Sequence, residues 1–214
     1  MKKIKLFMVV CLLGIAATAS AQFANSSSNS SADASAWKGI RASYLPISIK
    51  ADGGGSVDFT GFQVGYVKSF AISANAPLFI ETGANLSYIS GDFEMYDGYD
   101  AFDVDMNMFS INVPINFGYQ VAISETANIF PYVGATLRGN LFGKYKEDDE
   151  SFSIFDSENE EFGMQAKRFQ IGWQIGAAAT FNNFVVGVSY GTDFNDIIED
   201  CKITTTAISI GFNF

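Results

Sequence analysis

Arg41, Glu81, Arg138 and Arg168 are charges set into weakly polar company: Gly, Ser, Thr, Asn and Gln recur beside them at every second position. If those positions line a narrow interior, each charge must be paired or hydrated, and Glu81 is expected to meet one or more of the arginines. Two chemistries fit. One is a structural plug of ion pairs, Gln and Asn; the other is a gated path for ions. Most other chemistry is missing. No histidine occurs among the 214 residues, which removes the commonest general base and every Ser-His-Asp or Cys-His scheme. Zinc is equally poorly served. Gly53 to Ser56 lacks the Gly-Lys-Ser/Thr that a phosphate cradle needs, and reads as a flexible loop. No enzyme activity and no cofactor is expected.

Acid is concentrated in a few segments. Of 23 Asp and Glu, 18 lie in "GDFEMYDGYDAFDVD", "KYKEDDESFSIFDSENEEF" and "DFNDIIEDC". Three readings are open: solvated loops; calcium held by Asp97, Asp100, Asp103 and Asp105 or by Asp148, Asp149 and Glu150, although neither run has EF-hand spacing; or partner binding. For the last, Tyr96, Tyr99 and Phe102 in one segment and Phe152, Ile154 and Phe155 in the next are apolar groups with no evident strand face to bury them. Exposed aromatics amid charge can anchor an interface.

The elements that position these residues alternate with period two. Eight such stretches follow Trp37. The clearest, "RFQIGWQIGAAATF", sets Phe169, Ile171, Trp173, Ile175 and Phe181 against Arg168, Gln170, Gln174 and Thr180. Stretches around Leu78–Ser90, Phe109–Gln120, Ile129–Phe142, Phe184–Gly191 and Ala207–Phe214 do likewise; Trp37–Ile49 and Phe59–Phe70 are less clean. Long polar joins alternate with short ones such as "NN", the pattern of an up-and-down barrel with loops on one rim and tight turns on the other. Pro114 predicts a bulge in its strand, and Pro46 a break in alternation.

Which face looks outward follows from composition. The chain is 48% hydrophobic with 21 Phe and a mean hydropathy of +0.15, yet no apolar run after residue 21 is long enough for a spanning helix. A soluble barrel would carry Lys and Glu on its second face. Here that face is small and mostly uncharged, as suits the inside of an eight-stranded cylinder, so the Phe/Ile/Val face is expected to meet lipid. Tyr44, Tyr88, Phe109, Phe169 and Tyr190 would form a belt near the loops. Phe70, Tyr119, Phe181, Phe184, Phe212 and Phe214 would form one near the turns, with Lys38 and Lys68 snorkelling.

Lys2, Lys3 and Lys5, an apolar run from Leu6 to Ala17 and Ala19-Ser20-Ala21 predict a signal peptide over 1–21, removed on export. Residues 22–36, rich in Ser, Asn and Ala, read as a flexible periplasmic leader, and 37–214 as the barrel. Loss of three lysines takes the net charge from −10 to −13, so nucleic acid is a poor partner. Only Cys201 remains, either a buried bystander or an intermolecular thiol.

"SINVPINFGYQ", "PYVGATLRGNL", "IGWQIGAAATFNNFVVGVSYGTDFNDI" and "AISIGFNF" resemble the Gram-negative outer-membrane β-barrel domain family, the porin-like, eight-stranded kind. Ser189 stands where that family often has an Arg before a tyrosine, so no role of that Arg carries over. Ile208, Ile210, Phe212 and the terminal Phe214 are similar to the signal by which the barrel-assembly machinery recognises such chains. The resemblance implies a bacterial outer-membrane location. The resulting expectation is an all-β, eight-stranded antiparallel up-and-down transmembrane β-barrel. Its role is structural or surface-interacting, its acidic extracellular loops contacting a ligand or protein partner; the alternative is a narrow pore or small-solute transporter.

Overall fold

The computed structural model describes residues 36–51, 53–73, 76–96, 101–147, 150–156 and 165–214. The expected signal peptide and leader lie outside them, apart from Ala36. Among the described residues the strands are β1 Lys38–Ala51, β2 Ser56–Ala71, β3 Leu78–Tyr96, β4 Ala101–Tyr119, β5 Val121–Ala122, β6 Ala127–Glu147, β7 Glu150–Ser153, β8 Phe169–Phe181, β9 Phe184–Asp193 and β10 Cys201–Asn213. Eight of them, all but the short β5 and β7, pair antiparallel with their neighbours in sequence, and β1 pairs with β10 to close the cylinder. Closure leaves no free edge in the part of the sheet that meets lipid, where one could not be satisfied. β5 extends the β4–β6 turn, and β7 folds back on the loop end of β6.

The register aligns an aromatic row around half the barrel. Tyr44 faces Phe62, Phe62 faces Tyr88, Tyr88 faces Phe109 and Phe109 faces Phe142, all on the outer face. Toward the turns from this row the exterior is apolar: Val64, Leu86 and Ile115 are each about half exposed. One outward step toward the loops, the chemistry inverts. The next row is Pro46, Thr60, Ser90, Asn107 and Lys144, and beyond it stand Asp58, Asp92, Asp105 and Lys146.

The interior inverts at the same level. Ser43, Gln63, Ser87, Ser110 and Asn140 face inward below the step; Leu45, Ile47, Phe59, Ile89, Met106 and Met108 face inward above it and are buried. The lower part is therefore a membrane barrel, apolar outside and polar within. The upper part has the soluble arrangement, apolar within and polar outside. β3, β4 and β6 run 19, 19 and 21 residues, against the ~9–11 that cross a bilayer. Roughly half of each stands clear of the hydrocarbon.

Three expectations are corrected. The segment around 91–105 is not a long loop but mostly ladder, from Gly91↔Met106 to Tyr96↔Ala101. Its alternation is genuine, with the apolar phase turned inward. Neither proline shifts its strand. Pairing of β3 with β4 lapses between Thr82↔Ile115 and Asn85↔Asn112 and resumes in the same register, with Thr82 Oγ1 donating to the Pro114 carbonyl at 2.8 Å. Around Pro46 the β1–β10 pairing likewise lapses and resumes unshifted. The register shift lies instead beside Phe109 and Ser110, where Asn140 and Phe142 are the successive partners. The extra residue, Leu141, turns outward together with Phe142.

Candidate functional site

The interior is built in three tiers. At the turn end, Trp37, Phe79 and Phe130 form an aromatic cap, with Trp37 ring centroids 4.8 Å from Phe79 and 4.7 Å from Phe130. Val67 and Val185 are buried on the same inward face at this end. At the loop end, the apolar cluster of Leu45, Ile47, Phe59, Ile89, Met106 and Met108 is completed by Ile154 and Phe155 after β7, by Ala166, and by Ile197 and Ile203. Each buried aliphatic or aromatic side chain contributes about 1.5–3 kcal/mol, so this lid is a second core.

Between the caps lies the polar tier. Arg138 Nη1 donates to Asp193 Oδ2 at 2.8 Å, Nε to Asn112 Oδ1 at 3.0 Å and Nη2 to Thr205 Oγ1 at 3.4 Å. One guanidinium thereby ties β6 to β4, β9 and β10. Lower down, Trp37 Nε1 donates to Glu81 Oε2 at 3.0 Å, and Arg41 Nη2 stands 4.0 Å from the same oxygen while donating to Asn213 Oδ1 at 2.7 Å. Gln174 Nε2 reaches Asn116 Oδ1 at 2.5 Å, and Ser43 and Ser209 hydroxyls meet at 2.8 Å. A cavity of about 140 Å³ runs among Arg41, Glu81, Asn85, Asn116, Tyr132 and Arg138. Asn85 Oδ1 is buried without a hydrogen-bond partner at its edge, which suits a space large enough for water. Small residues make this tier fit: a Cβ at Gly65 would lie 2.4 Å from the Ala84 carbonyl oxygen.

The structure sorts the residues singled out from sequence. Arg41 and Glu81 stand together in the lumen, at the outer limit of an ion pair. Arg138 is in the lumen too, but its carboxylate is Asp193 rather than Glu81. Asp193 opens the segment "DFNDIIEDC", which reads as a loop, and the inward phase of β9 through Gly187, Ser189 and Gly191 is the signal that places it. Arg168 is a correction: it is exposed, because β8 begins only at Phe169 and residue 168 lies outside the ladder. Its Nη1 donates to the Leu141 carbonyl at 3.2 Å and its guanidinium lies over the Phe155 ring at 4.2 Å.

Ile154 and Phe155 are a second correction. They are 4% and 8% exposed and plug the barrel mouth instead of facing a partner. Phe152 is 40% exposed and stacks on Tyr145 at 5.3 Å. Tyr96 and Phe102 lie in the β3–β4 ladder, their side chains outside the described residues, and Tyr99 lies outside altogether. Of the acids considered for calcium, Asp97 and Asp100 are outside the described residues, as are Asp148, Asp149 and the side chain of Glu150. Asp103 and Asp105 are exposed on the outer face of β4, and no group of three or more potential metal ligands occurs among the described residues. Ile208, Ile210, Phe212 and Phe214 all point outward from the last strand. Cys201 is half-buried beside the loop-end cap.

Gly143 shows how the plug is seated. A Cβ there would fall 2.4 Å from Ile154 Cδ1 and 3.0 Å from Phe155 Cε2. Gly143→Leu is expected to cost about 1–3 kcal/mol by overpacking and to lift the 154–155 segment. Limited proteolysis of the folded barrel should then cut there faster, and an unchanged digestion rate would mean the plug is not held at that glycine.

A closed antiparallel cylinder with an apolar outer band, an aromatic girdle and an ion-paired polar interior is a transmembrane β-barrel. The chain matches the outer membrane protein beta-barrel domain family over residues 14–199 and belongs to that family. It is accordingly a protein of the bacterial outer membrane, embedded in lipid. Among solved structures it is similar to Neisserial surface protein A (13% identity, 83% of this chain and 97% of that one, TM-score 0.50). It is also similar to the attachment invasion locus protein Ail of Yersinia pestis, solved with the heparin analogue sucrose octasulfate (21% identity, 84% and 99%, TM-score 0.46). No curated protein matches the chain.

Proposed function

We propose that this barrel works at the cell surface and does not carry solutes: the protruding wall of β3, β4 and β6 is its contact surface, and the part in the membrane is an anchor. The observation that carries the reading is the apolar cluster packed across the loop end, with an aromatic group at the turn end of the polar lumen, while half of each long strand stands outside the bilayer. A ring of buried Leu, Ile, Met and Phe leaves ions no hydrated route. The exposed outer face of β3 and β4, with Asp92, Asp103 and Asp105, favours a cationic partner surface, since charge complementarity steers encounter. On this reading residues 1–21 are removed on export, the start of β1 and the end of β10 lie on the periplasmic side, the outward Ile208, Ile210, Phe212 and Phe214 serve the assembly machinery, and the protein has no catalytic role.

Planar-bilayer recording and crosslinking on intact cells test it together. The purified barrel is expected to show no steady conductance. A surface crosslink should be lost when Asp92, Asp103 and Asp105 are changed to Lys and kept when Lys50 is changed to Gln. Steady conductance that responds to Glu81→Gln or Arg138→Gln would overturn the reading in favour of a narrow pore. Crosslinks indifferent to the three aspartates would remove the acidic wall from it.

A further inference from the structure

The cations of this acidic chain are unevenly placed. Thirteen Lys and Arg occur, three of them in the first five residues, which leaves ten. Arg41 and Arg138 are in the lumen, and Lys38 and Lys68 lie at the turn end over the rings of Phe214 and Phe70. Lys50 and Lys202 face each other across β1 and β10, with Lys202 3.9 Å from Asp196. The remaining four, Lys144, Lys146, Lys167 and Arg168, are all exposed and all belong to the loop-side rim where β6 passes the start of β8. The Asn140 amide donates to the Arg168 carbonyl across that seam.

Their height matters as much as their number. Lys144 is one outward step above Phe142, in the row where the exterior turns polar, and Arg168 adjoins Phe169, the first residue of β8. Directly below them is a broad apolar shelf: the register shift turns both Leu141 and Phe142 outward, beside Phe169 at 52% exposure and Phe194 at 63%. Arg168 is also held in place. Its ring contact with Phe155 and its bond to the Leu141 carbonyl fix the guanidinium while leaving most of its five N–H donors unused by those contacts. A planar, anchored guanidinium is suited to bidentate contact with phosphate. Asp105, opposite Lys146 on β4, and Glu147, next to Lys146 on β6, limit the strip on that side.

We propose that this rim docks a phosphorylated lipid of the outer leaflet, with its phosphate on Arg168, Lys144 and Lys167 and its acyl chains along Leu141, Phe142 and Phe169. The occupant is a lipid because the basic strip continues an apolar surface that already faces hydrocarbon; a soluble anion would have no use for the shelf. The proposal rests on the orientation given above, with the loop side outward. Its test does not depend on that orientation.

The test places the folded full barrel in phosphatidylcholine nanodiscs doped with diphosphoryl lipid A or with the same lipid after phosphatase treatment, and measures retained lipid by native mass spectrometry. The wild type should retain the phosphorylated lipid preferentially. Lys144→Gln with Arg168→Gln should weaken retention about 10- to 30-fold, as two interfacial charges warrant, and Lys50→Gln with Lys202→Gln should leave it unchanged. Heat-modified gel mobility confirms folding of each variant. Equal retention of the two lipids, equal retention by the rim variant, or full displacement by inorganic pyrophosphate would overturn the proposal, the last by showing a soluble-anion site. Failure of the surface-contact reading would appear in the cellular crosslinks and leave these results standing.

Discussion

Replacing Asp193 by Ala is expected to destabilise the barrel by about 3–5 kcal/mol, the cost of leaving one partner of a buried ion pair uncompensated. The side chains of Arg138 and Asp193 are 11% and 3% exposed, so bulk solvent does not take over the lost contact. Arg138 would keep Asn112 and Thr205, which are neutral and cannot balance the charge. Removing both charges should be far milder: Arg138→Met with Asp193→Leu is expected to lie close to wild type, because the desolvation of the two ions disappears along with their attraction. Urea unfolding in lipid vesicles, followed by tryptophan fluorescence, gives both numbers. An Asp193→Ala midpoint equal to wild type would mean that the lumen is wetter at this level than the geometry describes.

The second large effect concerns the polarity step. Ile115→Arg, on the lipid-facing side of β4, is expected to cost about 2–4 kcal/mol, as for a cation near the middle of the bilayer. Asn107→Arg, on the same face of the same strand but above the aromatic row, should change stability by less than about 0.5 kcal/mol, the usual range for a solvated surface position. Ile115 is 46% exposed and Asn107 lies in the first polar row. The difference between the two variants, read from unfolding in the same vesicles, locates the edge of the hydrocarbon. Equal costs would place the edge elsewhere.

Much of the fold was legible because period-two alternation survives in every barrel strand, apart from the one extra residue at Leu141 in β6. What alternation does not carry is the identity of the inward phase. In β8 the apolar phase is outward throughout, and Phe169 to Phe181 read correctly. In β1 the apolar residues move from Ile40 and Tyr44 on the outside to Leu45, Ile47 and Ile49 on the inside. A reading that assigns one character to one face sees only a blurred pattern there. The same inversion hid the upper ladder of β3 and β4, whose outward Asp92, Asp103 and Asp105 look like loop residues when Phe93, Val104 and Met106 are not recognised as a second core.

The site was less legible, since pairing across a lumen depends on barrel stagger. Parity put Arg138 inside, yet it took the closed cylinder to bring Asp193 to it from 55 residues away. Parity misled for Arg168, where the strand had not yet begun. Ile154 and Phe155 look exposed in the sequence because a segment outside the barrel strands gives no local hint that it folds back into the mouth.

Exchange of character between the two surfaces within one rung also governs how this molecule floats. Sliding it by two residues along a strand, about 5 Å along the bilayer normal at the usual tilt, would sink Ser90, Asn107 and Lys144 into oil or lift Tyr88, Phe109 and Phe142 into water. Only one draught is therefore comfortable, and in a thicker or thinner membrane it is the surrounding lipid that must stretch or compress to meet the protein.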